Sequence, residues 1–295
     1  MPFRTLLHSH PRLTAIALLI LAMACFQVGA ALAKQLFALF GAQGMAAQRL
    51  FFSAVLMSIV FRPWRGALTR REIGLVICYG AAMGMMNLFF YIALKTIPLG
   101  IAVAIEFTGP LAVALLASRN MLDFFWALLA TVGIALLLPI HGGSALDPLG
   151  LFYISIAAVC WALYIIFGQK AGRTVKGARP VALGIIVAAC LVSPVGASHI
   201  DFNMFTPVIL LTGILVGALS SALPYSLEMI ALQRLPAKTF GILMSLEPAL
   251  AALSGLILLQ EILNVQQWTA ISFIILASAG SAAFSKNPPA TEPVN

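Results

Sequence analysis

Ten stretches of this chain are apolar over nearly enough residues to cross a lipid bilayer, and polar or helix-breaking residues separate them. A spanning helix needs about 20 mainly apolar residues. The segments 13–33, 45–61, 73–92, 99–117, 123–140, 149–168, 180–197, 207–227, 239–258 and 268–284 meet or approach that length. Gly41 and Gly44, Pro63, Pro98, Pro139 with Gly142 and Gly143, Pro148, Gly177 with Pro180, Pro207 and Pro236 punctuate them. The pattern predicts an all-α integral membrane fold of ten transmembrane helices. Residues 286–295, KNPPATEPVN, are polar and proline-rich and read as a disordered tail.

The apolar pattern also repeats. Shifting the stretch 92–115 by 138 positions brings Ile92, Ala93, Leu94, Pro98, Pro110, Ala114 and Leu115 onto identical residues, Ile230, Ala231, Leu232, Pro236, Pro248, Ala252 and Leu253. The chain thus divides into a first five-helix repeat over 1–140 and a second over 149–285. Five is odd, so the second repeat enters the membrane from the side opposite the first. The two are then inverted copies, related by an axis in the membrane plane. Paired, proline-interrupted apolar segments at matching positions of two such halves point to a transporter's binding site.

Charge fixes the orientation. With the N-terminus in the cytoplasm, fourteen of the seventeen basic residues fall in cytoplasmic segments: Arg4, Arg12, Arg62, Arg65, Arg70, Arg71, Arg119, Lys170, Arg173, Lys176, Arg179, Arg234, Lys238 and Lys286. Only Lys34 and Lys95 fall outside, while Arg49 lies within the second helix. Both termini, the polar tail included, are expected in the cytoplasm. Asp147, Asp201 and Glu261 fall on the outer side.

Composition excludes the alternatives. The 295 residues are 62% hydrophobic and 9% charged, with a mean hydropathy of +1.04; soluble domains carry about 25% charged residues. The net charge of +8 is accounted for by the cytoplasmic loops and calls for no nucleic acid. Cys25, Cys78, Cys160 and Cys190 show no CxxC spacing, and His8, His10, His141 and His199 lie in termini or loops, so no metal site is spelled out. No GxSxG, HExxH, phosphate-binding loop or dinucleotide fingerprint is present, which leaves enzyme chemistry and cofactors without a foothold. The first apolar run, from Leu13 to about Ala33, exceeds the roughly 7–15 residues of a signal peptide's core and reads as a retained helix.

Ionisable groups at membrane depth are the candidates for function, because a charge there costs several kcal/mol unless it meets a partner or a cavity. Glu106 falls near the middle of the fourth helix, Glu247 near the middle of the ninth, and Glu228 at the end of the eighth or just past it. A carboxylate that alternates between protonated and ionised forms can couple proton movement to substrate movement. The same carboxylates could instead be structural, with Lys34, Arg49 or a freed carbonyl as partner. Pro110 and Pro248 each remove a helical donor and free the carbonyl four residues back, that of Glu106 and of Met244. Gln27, Asn87, Trp161, Tyr164 and Tyr225 are the groups expected around a small polar ligand. Gly80 with Gly84, and Gly213 with Gly217, read as close helix contacts.

With these residues in view, the chain resembles the drug/metabolite transporter superfamily with two EamA-type domains. The stretches PLGIAVAIEFTGPLAVAL (98–115) and ALPYSLEMIALQRLPAKTFGILMSLEPALAALSG (222–255) resemble, within it, the bacterial threonine/homoserine exporters. The resemblance implies an inner-membrane exporter of threonine and homoserine that exchanges them for protons. It also implies a cavity built from helices 1, 3, 4, 6, 8 and 9 that collects Gln27, Asn87, Glu106, Trp161, Tyr164, Glu228 and Glu247. A broader metabolite or drug exporter of the same fold is the alternative.

Overall fold

The computed structural model describes residues 11–116, 121–137, 146–175, 179–198, 207–235, 240 and 243–284. All regular structure among them is helical. The elements are α1 (Pro11–Gln35), α2 (Phe37–Phe61), α3 (Arg70–Ala93), α4 (Leu99–Glu106), α5 (Thr108–Leu116), α6 (Met121–Leu137), α7 (Pro148–Thr174), α8 (Arg179–Ala197) and α9 (Pro207–Gly217). A π-helical turn (Ala218–Ala222) leads into α10 (Leu223–Arg234), followed by α11 (Glu247–Leu259) and α12 (Val265–Phe284). Of these, α1, α2, α3, α7 and α8 are long and apolar enough to cross a bilayer. The chain is a multi-pass membrane protein. The expected cytoplasmic tail, 286–295, and most of the link between the repeats lie outside the described residues.

Local chemistry sets several helix starts. Thr69 caps α3, its hydroxyl accepting from the Glu72 amide at 3.3 Å while the Glu72 carboxylate accepts from the Thr69 amide at 2.7 Å. Asp147 caps α7 ahead of Pro148, accepting from the Gly150 amide at 2.9 Å. The Thr96 hydroxyl also donates to Asp147, at 2.9 Å, which ties the α3–α4 turn to the head of α7. Thr96 and then the Gly150 amide hold the Asp147 carboxyl below the usual aspartate range.

Two expected segments are not single helices. The segment 99–117 is broken at Phe107 into α4 and α5, and 239–258 turns at Ser245 and Leu246 before α11 begins. Phe107 and Ser245 are 138 residues apart, the same shift that relates the two halves. Each break lies just ahead of a proline whose missing N–H leaves the ladder open, Pro110 and Pro248. The segment 207–227 departs in the other direction. It passes through the π-turn and continues as helix to Arg234, so Glu228 is inside α10 rather than at its end. In α2 the helix begins before the expected position 45 and kinks at Gly41, which takes φ +64° and ψ 170°.

The packing respects the repeat. The helix pairs α2–α8 and α6–α12 each join equivalent elements of the two halves, and α4–α11 joins the leading part of one interrupted segment to the trailing part of its equivalent. The pair α3–α7 has its counterpart in α10–α1, and α3–α8 in α9–α2. Glycines make the last two contacts close. A Cβ on Gly80 would meet the Gly184 carbonyl oxygen of α8 at 2.5 Å, and one on Gly217 would meet the Arg49 carbonyl oxygen of α2 at 3.2 Å. The glycine pairs differ in position by 133 residues rather than 138, so they are displaced by about one helical turn, yet they serve equivalent interfaces.

A Gly80→Val variant should lose stability by about 1–3 kcal/mol, because backbone and a β-branched side chain already occupy the space it needs. Gly74→Ala, where the added methyl meets nothing within 4 Å, serves as the control. Thermal unfolding of both in detergent checks the expectation, and equal midpoints would contradict it.

Candidate functional site

A cavity of about 640 Å³ lies at the centre of the bundle, within the range of small-ligand sites. Its wall takes Phe26, Gln27 and Ala30 from α1, Arg49 from α2, Tyr79 and Asn87 from α3, and Glu106, Phe107 and Pro110 from the α4–α5 break. The other half supplies Trp161 and Tyr164 from α7, Tyr225 and Glu228 from α10, and Met244 and Glu247 at the start of α11. The eight residues singled out as candidate ligand or proton groups therefore share one cavity, and Arg49 joins them. Pro180 and Val181 of α8 and Ser278 of α12 extend the wall beyond the six helices expected. A second hollow of about 460 Å³ between α1 and α9 is lined by Leu32, Leu36, Leu215, Leu219 and similar groups and carries no ionisable side chain.

The breaks explain how two carboxylates come to face this space. Glu106 is the last residue of α4 and Glu247 the first of α11, so each stands where the helical ladder is interrupted. Glu106 is 6% exposed and Glu247 7%. Irregular backbone at membrane depth is tolerated where it lines a cavity. Gln27 donates through Nε2 to Glu247 Oε1 at 3.1 Å. Gln27 Oε1 and the second carboxylate oxygen, Glu247 Oε2, are buried and receive no donor among the described residues. Two acceptors without a donor create a local demand for a proton or a cation.

Aromatic rings shape the rest. Tyr79 and Tyr164 stack at 4.9 Å between centroids, Phe107 meets Trp161 edge-on at 5.5 Å, and Phe26 meets Tyr225 edge-on at 5.0 Å. Asn87 donates to the Met83 carbonyl at 2.8 Å, which leaves its amide oxygen toward other partners.

Under the 138-residue shift the lining falls into pairs: Phe26 with Tyr164, Gln27 with Ile165, Ala30 with Gly168, Asn87 with Tyr225, Phe90 with Glu228, and Glu106 with Met244. Both members of each pair face the cavity. In these six pairs the positions are symmetric and the chemistry is not, since Glu106 and Glu228 have apolar mates; Glu247 corresponds to Gly109, which is outside the lining.

An ion pair stands about one helical turn beyond Ala30, where α1 leaves the cavity wall. Lys34 Nζ lies 2.6 Å from Glu261 Oε1 and donates to the Ile97 carbonyl at 3.2 Å, while Glu261 Oε2 accepts from the Leu99 amide at 2.7 Å. This cluster ties the end of α1 to the head of α4 and the turn after α11. Lys34 therefore pairs with Glu261 and not, as allowed above, with a glutamate of the cavity. The lining follows α7 from Trp161 to Gly172 and takes in Pro180, so the cavity opens toward the opposite end. Arg49 has no carboxylate within ion-pair distance among the described residues. It donates to Ser221 Oγ at 2.8 Å, the Ser220 carbonyl at 2.6 Å and the Tyr91 hydroxyl at 3.1 Å.

Sequence reasoning missed Glu261, Tyr79, Tyr91 and the serine pair. Ser220-Ser221 interrupts an apolar segment and carried a readable signal. Glu261 did not, because its partner is 227 residues away.

Comparison with known proteins gives consistent results. The model of the EamA-like transporter family matches residues 148–282. The chain is 47% identical over 267 residues to the threonine/homoserine exporter RhtA of Escherichia coli K12, covering 90% of each. It is 46% identical over 281 residues to the protein of the same name from Salmonella typhimurium SL1344, covering 95% of each. A solved crystal structure superposes with a TM-score of 0.63 at 16% identity, covering 92% of this chain and 96% of that one, a likeness of fold alone.

The Lys34–Glu261 pair is mostly enclosed and shares its carboxylate with a backbone amide. Lys34→Met and Glu261→Gln should each lower the melting temperature, and the double variant should fall short of their sum by about 0.5–3 kcal/mol of coupling. Additive losses in a double-mutant cycle would mean that the contact contributes nothing to stability.

Proposed function

Because the chain belongs to the EamA-like transporter family of the drug/metabolite transporter superfamily, we propose that it exports small amino acids, threonine and homoserine among them, in exchange for protons. Its relatives at this identity are named exporters, which supports a transporter rather than an enzyme. The observation that carries the substrate reading is the buried pair of unsatisfied acceptors, Gln27 Oε1 and Glu247 Oε2, in a cavity that also holds Glu106 and Glu228. An ammonium group has three donors and no acceptor, and donors are what that pair lacks. A proton on Glu247 meets the same need. Substrate and proton then compete for one carboxylate, which is the requirement of exchange.

On this reading the breaks in α4–α5 and before α11 belong to the fourth and ninth of ten crossings, α9 and α10 form the eighth, and the two repeats lie inverted in the inner membrane of a bacterium. Both termini are cytoplasmic. The open end of the cavity then faces the cytoplasm and the Lys34–Glu261 cluster closes the outer side, an inward-facing state in which substrate is loaded. Rocking of one repeat against the other opens the outer side. Protonation of Glu247 or Glu106 from outside displaces the ammonium and returns the carrier. The aromatic lining favours a second reading, a broader metabolite or drug exporter, because stacked rings also hold aromatic and cationic compounds.

Labelled threonine and homoserine should accumulate in everted membrane vesicles, faster with an acid-inside pH gradient. Glu106→Gln and Glu247→Gln should each remove that stimulation. Stimulation unchanged in both variants would overturn the coupling. Uptake suppressed by aromatic cations, with no response to either amino acid, would favour the second reading.

A further inference from the structure

Arg49 is a buried cation, 5% exposed, that lines the central cavity. A guanidinium offers five N–H donors. Three are used: Nε to Ser221 Oγ, one hydrogen of Nη1 to the Tyr91 hydroxyl, and one of Nη2 to the Ser220 carbonyl. All three acceptors are formally neutral. One N–H on each terminal nitrogen has no acceptor among the described residues, and no carboxylate lies within ion-pair distance. The contrast with Lys34 is direct, since that residue has Glu261 at 2.6 Å. Glu106 feels the charge of Arg49 electrostatically but does not contact it.

A buried charge without a counter-ion costs several kcal/mol, and three neutral acceptors hold Arg49 in place without cancelling its charge. The surrounding backbone is shaped to do that holding. The π-turn at 218–222 presents Ser220 O and Ser221 Oγ together to the guanidinium, and π-turns inside helices recur at functional sites. Gly29 lets α1 press against the turn, where an added Cβ would meet Ser220 Cβ at 2.5 Å. The Tyr91 hydroxyl braces the guanidinium from α3, with its ring centroid 5.4 Å from Cζ. The fork is thus fixed with two donors to spare, the arrangement that binds a carboxylate through both oxygens.

We propose that Arg49 is the seat of the substrate's α-carboxylate, and that the cavity is bipolar, with this anion seat on α2 and the ammonium seat at Gln27 and Glu247. This deepens the amino-acid reading above and rests on it for the ammonium end alone. Arg49 then sets specificity: an amine without a carboxylate leaves the cation uncompensated, and a carboxylate without an amine leaves the acceptors of Gln27 and Glu247 unmet.

The test is ligand-dependent melting of the purified full chain in detergent, read as apparent affinity from the concentration dependence. The ligands are threonine, homoserine, 2-aminobutyrate and alanine, each set against its amino alcohol, in which CH₂OH replaces the carboxylate. In the wild type each amino acid should bind about thirtyfold or more tightly than its amino alcohol, as expected for loss of one partner of a buried charge contact. In Arg49→Met the amino acids should weaken to the level of the alcohols, while the alcohols change little. Arg49→Lys should keep a reduced preference. If Arg49→Met fails to fold, the wild-type ratio and the lysine variant still decide, and equal binding of acids and alcohols by the wild type overturns the proposal. So does a preference that survives undiminished in Arg49→Met. A wild type that responds to 2-aminobutyrate or alanine but not to threonine or homoserine, with the preference lost in Arg49→Met, sinks the named substrates and leaves the carboxylate seat standing. A wild type that responds to none of the amino acids overturns it.

Discussion

Charge inside an apolar bundle must be compensated within that bundle, and the interior of this protein is arranged around that requirement. Each interior ionisable group meets it differently. Lys34 and Glu261 neutralise each other and use their remaining capacity on the backbone of Ile97 and Leu99. Arg49 is held by three neutral acceptors. Glu106, Glu228 and Glu247 have no cation within ion-pair distance among the described residues and face the cavity instead. The first solution is complete and ties α1 to the head of α4 and the turn after α11. The other two leave demands that a ligand or a proton can meet, and those demands converge on one space.

The scaffold that creates that space depends on close backbone contact. Gly100 lets α4 meet α11, where an added Cβ would lie 2.6 Å from Ala252 Cα. The two interrupted helices therefore cross against each other, and their breaks point into the same interior. Glycine at 80 and 84, and at 213 and 217, draws the flanking helices together in the same way. Without an apolar solvent effect to drive helix association in lipid, such contacts carry the packing. A fold built on small residues at fixed points can slide or tilt at those points without opening voids, which suits a carrier better than a jigsaw of large side chains.

How much of this was legible in the sequence follows from the range of each interaction. Apolar segments, the repeat, and the two prolines are local or periodic signals, and they led to helical segments and to glutamates that line the cavity. The interruption at Phe107 was only half legible: Pro110 announced a freed carbonyl, but whether the helix kinks or stops depends on what packs beside it. The π-turn at 218–222 has no propensity signature, only the serine pair that it exposes. Glu228 reads as close to a helix end because the apolar run stops at 227, whereas the helix continues to Arg234. Lys34 reads from the sequence as a possible partner of a cavity glutamate, whereas its actual partner is set by how α1 meets the turn after α11. Pairings across more than 200 residues are decided by tertiary packing and leave no trace in spacing.

The repeat bears on direction as well as architecture. If exchanging the conformations of the two halves converts one facing state into the other, each lining residue moves into the surroundings of its mate. Mates of like character, Ala30 with Gly168 and Phe26 with Tyr164, would notice little. Glu106 would move toward the setting of Met244, Glu228 toward that of Phe90, and Gln27 toward that of Ile165. Arg49 corresponds to Val187, which does not face the cavity at all. A perfectly symmetric site would bind a ligand equally in both states and would favour neither. A ligand shifts the balance between two states only by its difference in affinity for them, and here that difference can reside in the polar residues of both halves that lack a like mate.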